Sequence, residues 1–354
     1  MRLTSIYNKK TNNLQPQSLF TDGEAGIYLY PQDTTSLFQD AAGTIPATAE
    51  NDPVGLILDK SGNGNHAYQT VSTKRALLKY TDSGVLSLYF DGVDDCYVTD
   101  AIDFTATDEM TVFAGVQKRS AIDGTADSVC ELSAAFDNNN GTFAVGAPGI
   151  SKEFSYISKG TSVGRADDTD TAHAAPYTAV ITGESKISTH FCRLSINGTV
   201  IESTTLNQGT GSYGSYPLNI GSRNQSSTFF KGFLSALIIR GKTVQPFQKS
   251  GITQWISIRQ RGYIYFGCSW NQGGSYFGCS WNQGGSYFGC SWDQGSGENT
   301  YATWNQDADS YTGGFFDDPT ADSYDTIIYN DPTSDSYDTI IYNDPTSDSY
   351  TIIK

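Results

Sequence analysis

The sequence predicts an all-β chain: an antiparallel β-sandwich over residues 20–262, then a short-period β-repeat extension that reaches residue 354. Three observations carry this expectation. The composition, with 36 Gly, 22 Tyr and 18 Phe and few long helix-forming runs, favours strands and turns over helices. Short alternating apolar segments bounded by turn residues recur through residues 26–239 at the spacing of a sandwich. Beyond Gly262 the sequence repeats itself, with YFGCSWNQ at Tyr265 and Tyr276 and YFGCSWDQ at Tyr287.

Residues 1–19 are polar and poorly periodic and read as an arm with nothing to contribute to a core. The first strand is expected at 26–30, before a looped region over 33–52. Next comes the stretch that organises the chain, 58–98. It opens with LDKSGNGNHAYQ, where Ser61-Gly62-Asn63-Gly64-Asn65 places Gly and Asn at turn positions that need positive φ. It closes with LSLYFDGVDDCYV, an alternating strand running through the Asp91-Gly92 turn into a second strand. Further strands are expected at 111–116, 129–132, 142–145, 154–157, 177–182, 190–196, 199–203, 218–220 and 234–239. Asn197-Gly198 supplies both positive-φ positions of a type I′ hairpin between two of them. Ile252, Trp255, Ile256 and Arg259 keep helical spacing, so a short closing helix should pack Trp255 on the sandwich.

The two phrases of the organising stretch, followed by YPLNIG from Tyr216 and FFKGFL from Phe229, resemble the concanavalin A-like or laminin-G-like jelly rolls found in structural proteins of tailed bacteriophages. The resemblance spans roughly residues 20–262. It implies an antiparallel jelly-roll sandwich and a non-enzymatic virion protein, either a tail fibre or spike component or a capsid decoration. Such a protein would be made in the host cytoplasm, and its partners would be other virion proteins, further copies of itself and a cell-surface glycan. The alternative is a stand-alone carbohydrate-binding adhesin or glycan-modifying protein.

The repeats fall into two sets, 263–297 with an 11-residue period and 298–354 with a 13-residue period. The second set reads DSYTGGFFDDPTA from Asp309, DSYDTIIYNDPTS from Asp322 and Asp335, and a shortened DSYTIIK from Asp348. Units this short supply one strand and one turn each, so they must stack on like units. The candidate assembly positions are Tyr265, Phe266, Trp270, Tyr276, Phe277, Trp281, Tyr287, Phe288 and Trp292 in the first set. In the second they are Tyr324, Ile327, Ile328, Tyr337, Ile340 and Ile341.

Charge narrows the partners. From Gly262 onward there are 13 Asp or Glu against one Lys, so this segment carries −12 of the formal −16. Such a tail repels a phosphate backbone, which argues against nucleic acid. No apolar run approaches the ~20 residues of a membrane-spanning helix, and the Met1-Arg2 start lacks a hydrophobic signal segment, so neither membrane insertion nor a leader is expected. Cys268, Cys279 and Cys290 recur within the repeat, whereas Cys96, Cys130 and Cys192 are scattered. No CxxC pair supports structural zinc.

Catalytic chemistry has little to work with. The eight Glu (Glu24, Glu50, Glu109, Glu131, Glu153, Glu184, Glu202 and Glu298) are far apart in sequence, whereas glycoside hydrolysis needs two carboxyl groups held about 5–9.5 Å apart. The E-x-D-x-E pattern of the superfamily's glucanases does not occur. His66, His173 and His190 lie in no nucleophile motif. No catalytic residue and no organic cofactor is expected. Calcium is a minor expectation: laminin-G-like domains often bind it at one rim, and Asp59, Asp91, Asp94 and Asp95 would supply oxygen ligands near suitable turns. The competing reading is that Asp59 merely caps the Ser61 turn. Tyr177, Tyr213, Tyr216, Trp270, Trp281 and Trp292 could stack on sugars, although aromatic residues at strand spacing usually belong to a core.

Overall fold

The computed structural model describes residues 15–261 and, beyond them, the backbone of seven strands. The chain divides into two compact units, Met1–Tyr263 and Ile264–Lys354. In chain order the first unit begins with β1 (Gly26–Leu29), β2 (Leu37–Phe38), β3 (Leu56–Ile57), β4 (Ala67–Tyr68), β5 (Leu77–Tyr80) and β6 (Leu86–Asp91). There follow β7 (Tyr97–Asp103), β8 (Glu109–Lys118), β9 (Ser128–Leu132), β10 (Thr142–Gly146), β11 (Phe154–Lys159) and β12 (Val163–Asp168). The unit closes with β13 (Tyr177–Lys186), β14 (Phe191–Ile196), β15 (Thr199–Thr204), β16 (Ser215–Ile220), β17 (Lys231–Arg240) and the helix α1 (Pro246–Gln260).

These strands form two antiparallel sheets packed as a jelly-roll sandwich. One has eight strands, ordered β15-β14-β13-β8-β17-β6-β5, with β1 also pairing β17; the other has nine, ordered β12-β11-β10-β9-β16-β7-β4-β3-β2. Alternation explains the core. Leu88 and Phe90 of β6, Val112, Ala114 and Val116 of β8, and Ala179 and Ile181 of β13 face Tyr97, Cys130, Leu132, Phe143, Val145 and Ile220 from the other sheet. Burying each large side chain of this kind stabilises by roughly 1.5–3 kcal/mol.

The opposite face of the eight-stranded sheet is also apolar at its centre. Tyr28, Phe113, Val180, Ala236 and Ile238 pack there beneath Ile252, Trp255 and Ile256 of α1. A strand buried on both faces reads as an unbroken apolar run, and that is the reason β8 looks as it does. Gly115 makes room for the helix, since a Cβ there would stand 2.5 Å from Ile256 Cγ2. Pro246 occupies the first helical turn, and the Gln248 side-chain oxygen accepts the Gln245 N–H at 3.3 Å. At the other end Gln260 Nε2 donates to the Val116 and Ala179 carbonyls, both at 3.1 Å.

Several sequence expectations shift. Residues 16–20 form a 3-10 turn that buries Leu19 and Phe20 against β1 and β17, in the cluster that α1 also joins, so the core reaches back into the segment expected to be an arm. The strand expected at 190 begins at Phe191, because His190 lies in the left-handed region at φ 57° and ends a 3-10 turn. β12 had no counterpart in the sequence reading: its buried positions are Gly164, Ala166 and Asp168, none of them a large apolar residue. The Asn197-Gly198 turn has φ 52° and 86°, and β14 pairs β15 across it with Ile196 opposite Thr199.

In the second unit β18 (Phe266–Asn271) and β19 (Phe288–Asp293) pair in parallel, and β20 (Thr300–Gln306), β21 (Asp309–Phe315), β22 (Ile327–Asn330), β23 (Tyr337–Tyr342) and β24 (Tyr350–Ile353) form an antiparallel five-stranded sheet in that order. In the parallel pair like residues stand opposite like: Phe266 against Phe288, Cys268 against Cys290, Trp270 against Trp292.

Candidate functional site

Two places in the first unit gather polar chemistry. The first is the turn from β6 to β7. Gly92 takes φ 80°, and the Asp91 carboxylate accepts the N–H of Val93 at 2.7 Å and of Asp94 at 3.4 Å, an Asx turn. Asp95, only 7% exposed, folds back so that its carboxylate accepts the Asp91 N–H at 2.9 Å. One ligand oxygen from each of Asp91, Asp94 and Asp95 lies within 4.8 Å of the others. Burial, reinforced by the charges of Asp91 and Asp94, pushes the Asp95 carboxyl up to about 7. A hard cation would reverse that repulsion, with water completing the oxygen shell that calcium takes.

Asp59 stands apart from this group. Its Oδ1 accepts the N–H of Tyr28 and of Ser61, and its Oδ2 accepts the Ser61 hydroxyl and the Asn65 N–H, all between 2.7 and 3.0 Å. The carboxylate thus ties the SGNGN turn to β1. His66 closes the same turn by accepting the Asp59 N–H at 2.9 Å.

The second place was not foreseen. A groove of about 530 Å³ runs beside α1, lined by Thr182 of β13, Ser195 of β14, Asn197 and Gly198 of the hairpin, and Pro246, Lys249, Ser250, Thr253, Gln254, Ser257, Ile258 and Arg261 of the helix and its end. Thr182 stands opposite both Ser195 and Phe113, and Phe113 packs under the helix, so the threonine and serine share the helix-covered side of the sheet. Beyond them Glu184 is held by Lys249 at 2.8 Å and by Arg193 at 3.7 Å. A polar stripe at helical spacing from Pro246 to Ser257 was the available sequence signal, but its partners come from distant strands.

Other ionisable groups serve the frame. Lys118, fully buried, pairs with Glu153 and lies 4.5 Å from the centre of the Phe154 ring. Glu131 pairs with Arg223 at 2.7 Å, Glu24 with Arg240, and Glu109 with Lys186 at 2.7 Å. The Lys186 ammonium holds the Glu109 carboxyl down to about 2. His173 bonds to Asp168 at 2.7 Å and packs 4.8 Å from the Tyr177 ring. Tyr213 is buried and bonds to Ser158 and Ser185 at 2.6 Å, so it is core and not a sugar platform; Tyr177 and Tyr216 pack partly buried against the same core.

Among the assembly positions, Phe266, Trp270, Phe288, Trp292, Ile327, Ile328, Tyr337, Ile340 and Ile341 fall on strands of the second unit. Tyr265, Tyr276, Phe277, Trp281, Tyr287 and Tyr324 lie outside the described residues.

No family model and no curated protein matches the chain. Solved structures similar to it include the botulinum neurotoxin serotype D binding domain, at 8% identity over 68% of this chain and 52% of that one with a TM-score of 0.47. Another is Trypanosoma rangeli sialidase, at 10% identity over 68% and 34% with a TM-score of 0.44. A third is domain 4 of an extracellular arabinanase from Geobacillus stearothermophilus in complex with arabinotriose, at 12% identity over 65% and 100% with a TM-score of 0.44. The chain spans about half the length of the toxin domain it matches, 52%. The likeness is one of fold.

Proposed function

We propose that this chain is a non-enzymatic display protein of a tailed-phage virion, a fibre or spike component or a capsid decoration, with a lectin-like jelly-roll head and repeats that join neighbouring copies. The observation that carries the reading is the parallel pair β18–β19, in which one repeat meets another residue for residue. After such a pairing each outer edge presents the hydrogen-bonding groups of the same sequence, so a further copy of that sequence can add in the same register. A homo-oligomer built on the repeats follows. The phage placement rests on the jelly-roll phrases of residues 58–98 and 216–234. The non-enzymatic part is supported by the glutamates: of the seven among the described residues, Glu24, Glu109, Glu131, Glu153 and Glu184 are spent on ion pairs, Glu202 accepts the Asp167 N–H, and Glu50 is exposed.

Electron microscopy of the purified full-length chain tests this reading. Particles that contain several copies of the sandwich are expected, and virions should label with antibody to the sandwich. Isolated single heads at every concentration would sink the assembly role. Selective sugar binding by such isolated heads would favour a stand-alone adhesin.

A further inference from the structure

We infer that the groove beside α1 binds a short oligosaccharide, an assignment that rests on the lectin-like reading of the head and gives it a site. Thr182 is 1% exposed and Thr253 8% exposed, and both line the groove. Neither hydroxyl has a hydrogen-bond partner. A buried hydroxyl left unpaired costs roughly 1–3 kcal/mol, a cost the fold carries at two positions in one cleft. Each oxygen is itself almost wholly covered, so a ligand hydroxyl in the cleft pairs with it once the side chain turns about χ1.

The remaining lining fits the same chemistry. Ser195, Ser250 and Ser257 each offer a hydroxyl that donates and accepts, and Asn197 and Gln254 offer a carboxamide with both functions. Sugar hydroxyls have that dual character. Lys249 Nζ is held by both oxygens of Glu184, at 2.9 and 2.8 Å, which leaves Arg261 as the other cation of the lining. An added peptide strand would need an open sheet edge, yet β13 lies between β8 and β14, and β14 between β13 and β15.

Apolar surface for a sugar ring is also present. Phe247 is 63% exposed and Ile258 48% exposed on the helix. They stand seven residues before and four residues after Gln254 on nearly one line of α1, the two ends about 16 Å apart by helical rise. An exposed phenyl ring offers its face to the C–H side of a pyranose. Of the two, Ile258 lines the groove, whose volume of about 530 Å³ suits a few linked sugars within the usual size of a ligand cleft.

The full-length chain should be applied to an array of immobilised plant, bacterial and animal oligosaccharides, and the best ligand titrated by calorimetry. Thr182→Val and Thr253→Val should each weaken binding about three- to tenfold, the worth of one hydrogen bond. Without sugar both variants should melt at the wild-type temperature or above it, because each loses an unpaired buried hydroxyl. Gln254→Ala and Ile258→Ala, at exposed positions of the lining, should weaken binding without touching the fold. Unchanged affinity in all four variants would overturn the groove as the site while leaving a lectin-like head standing. Failure of the full-length chain to bind any oligosaccharide would overturn both.

Discussion

The two units of this chain solve the same problem, how to satisfy β-strand edges, in opposite ways. In the sandwich, partners are unique and distant: Gly26 of β1 stands opposite Arg240 of β17, and Asp91 of β6 opposite Lys231. Each strand carries a different sequence, so register is fixed by which side chains fit the core. In the repeat unit the parallel pair sets like against like, Trp270 against Trp292, whereas the antiparallel strands do so only in part: Ile327 of one 13-residue unit meets Ile340 of the next, but Tyr329 meets Asp338. Sequence there cannot tell one copy of a unit from another. The sandwich is specified to fold once, whereas under the proposed assembly the repeats pair with further copies of their own sequence.

The sharpest way to break this contrast is to end the chain after Tyr263. Self-association, followed by light scattering, should disappear, while the sandwich keeps its cooperative melting. Within the sandwich, Lys118→Met should destabilise by about 3–5 kcal/mol in urea unfolding, because it strands the buried Glu153 carboxylate. Combining it with Glu153→Leu should restore most of the loss. Neither change should alter association, and an effect there would mean that the units are not independent.

Asp95 gives the contrast a pH axis. Its carboxyl ionises near 3.8 when unfolded and near 7 in the fold, so between those values the folded state holds the extra proton. Stability therefore falls as pH rises through that window and levels off above it. Asp95→Asn should remove this part of the slope in melting curves taken from pH 4 to 8. Millimolar calcium at pH 8 should raise the melting temperature of the wild type and not of the variant; no change would leave Asp91-Gly92 a purely conformational turn. The smallest effect is expected at Gly183, where a Cβ would stand 2.3 Å from the Tyr156 ring. Gly183→Ala should cost about 1–3 kcal/mol by overpacking, again with association intact.

Much of the sandwich was legible because its strands alternate cleanly. Leu86 to Phe90, the Asn197-Gly198 hairpin and the Ile252, Trp255, Ile256 spacing of α1 all carry local signals. β12 was not legible, since Gly164, Ala166 and Asp168 fill its buried positions and small or charged residues give no apolar period. Leu19 and Phe20 carry no such signal, because two apolar residues after a polar run have no period at all; the surface they cover belongs to β1 and the distant β17. The same distinction holds for the sites. Asp91, Asp94 and Asp95 are neighbours in sequence and could be read as a group. Asp59 looked equivalent by composition, but its oxygens are committed to backbone N–H groups of its own turn and of β1. The groove is assembled from Thr182, Ser195 and Thr253 on three separate elements, and nothing local announces it.

Amide hydrogen exchange of the full-length chain, at dilute and at high concentration, tests the central contrast most directly. The account predicts that amides of the sandwich strands stay protected at both concentrations, while those of the repeat strands gain protection as concentration rises. Repeat amides that exchange at the same rate at every concentration would contradict it.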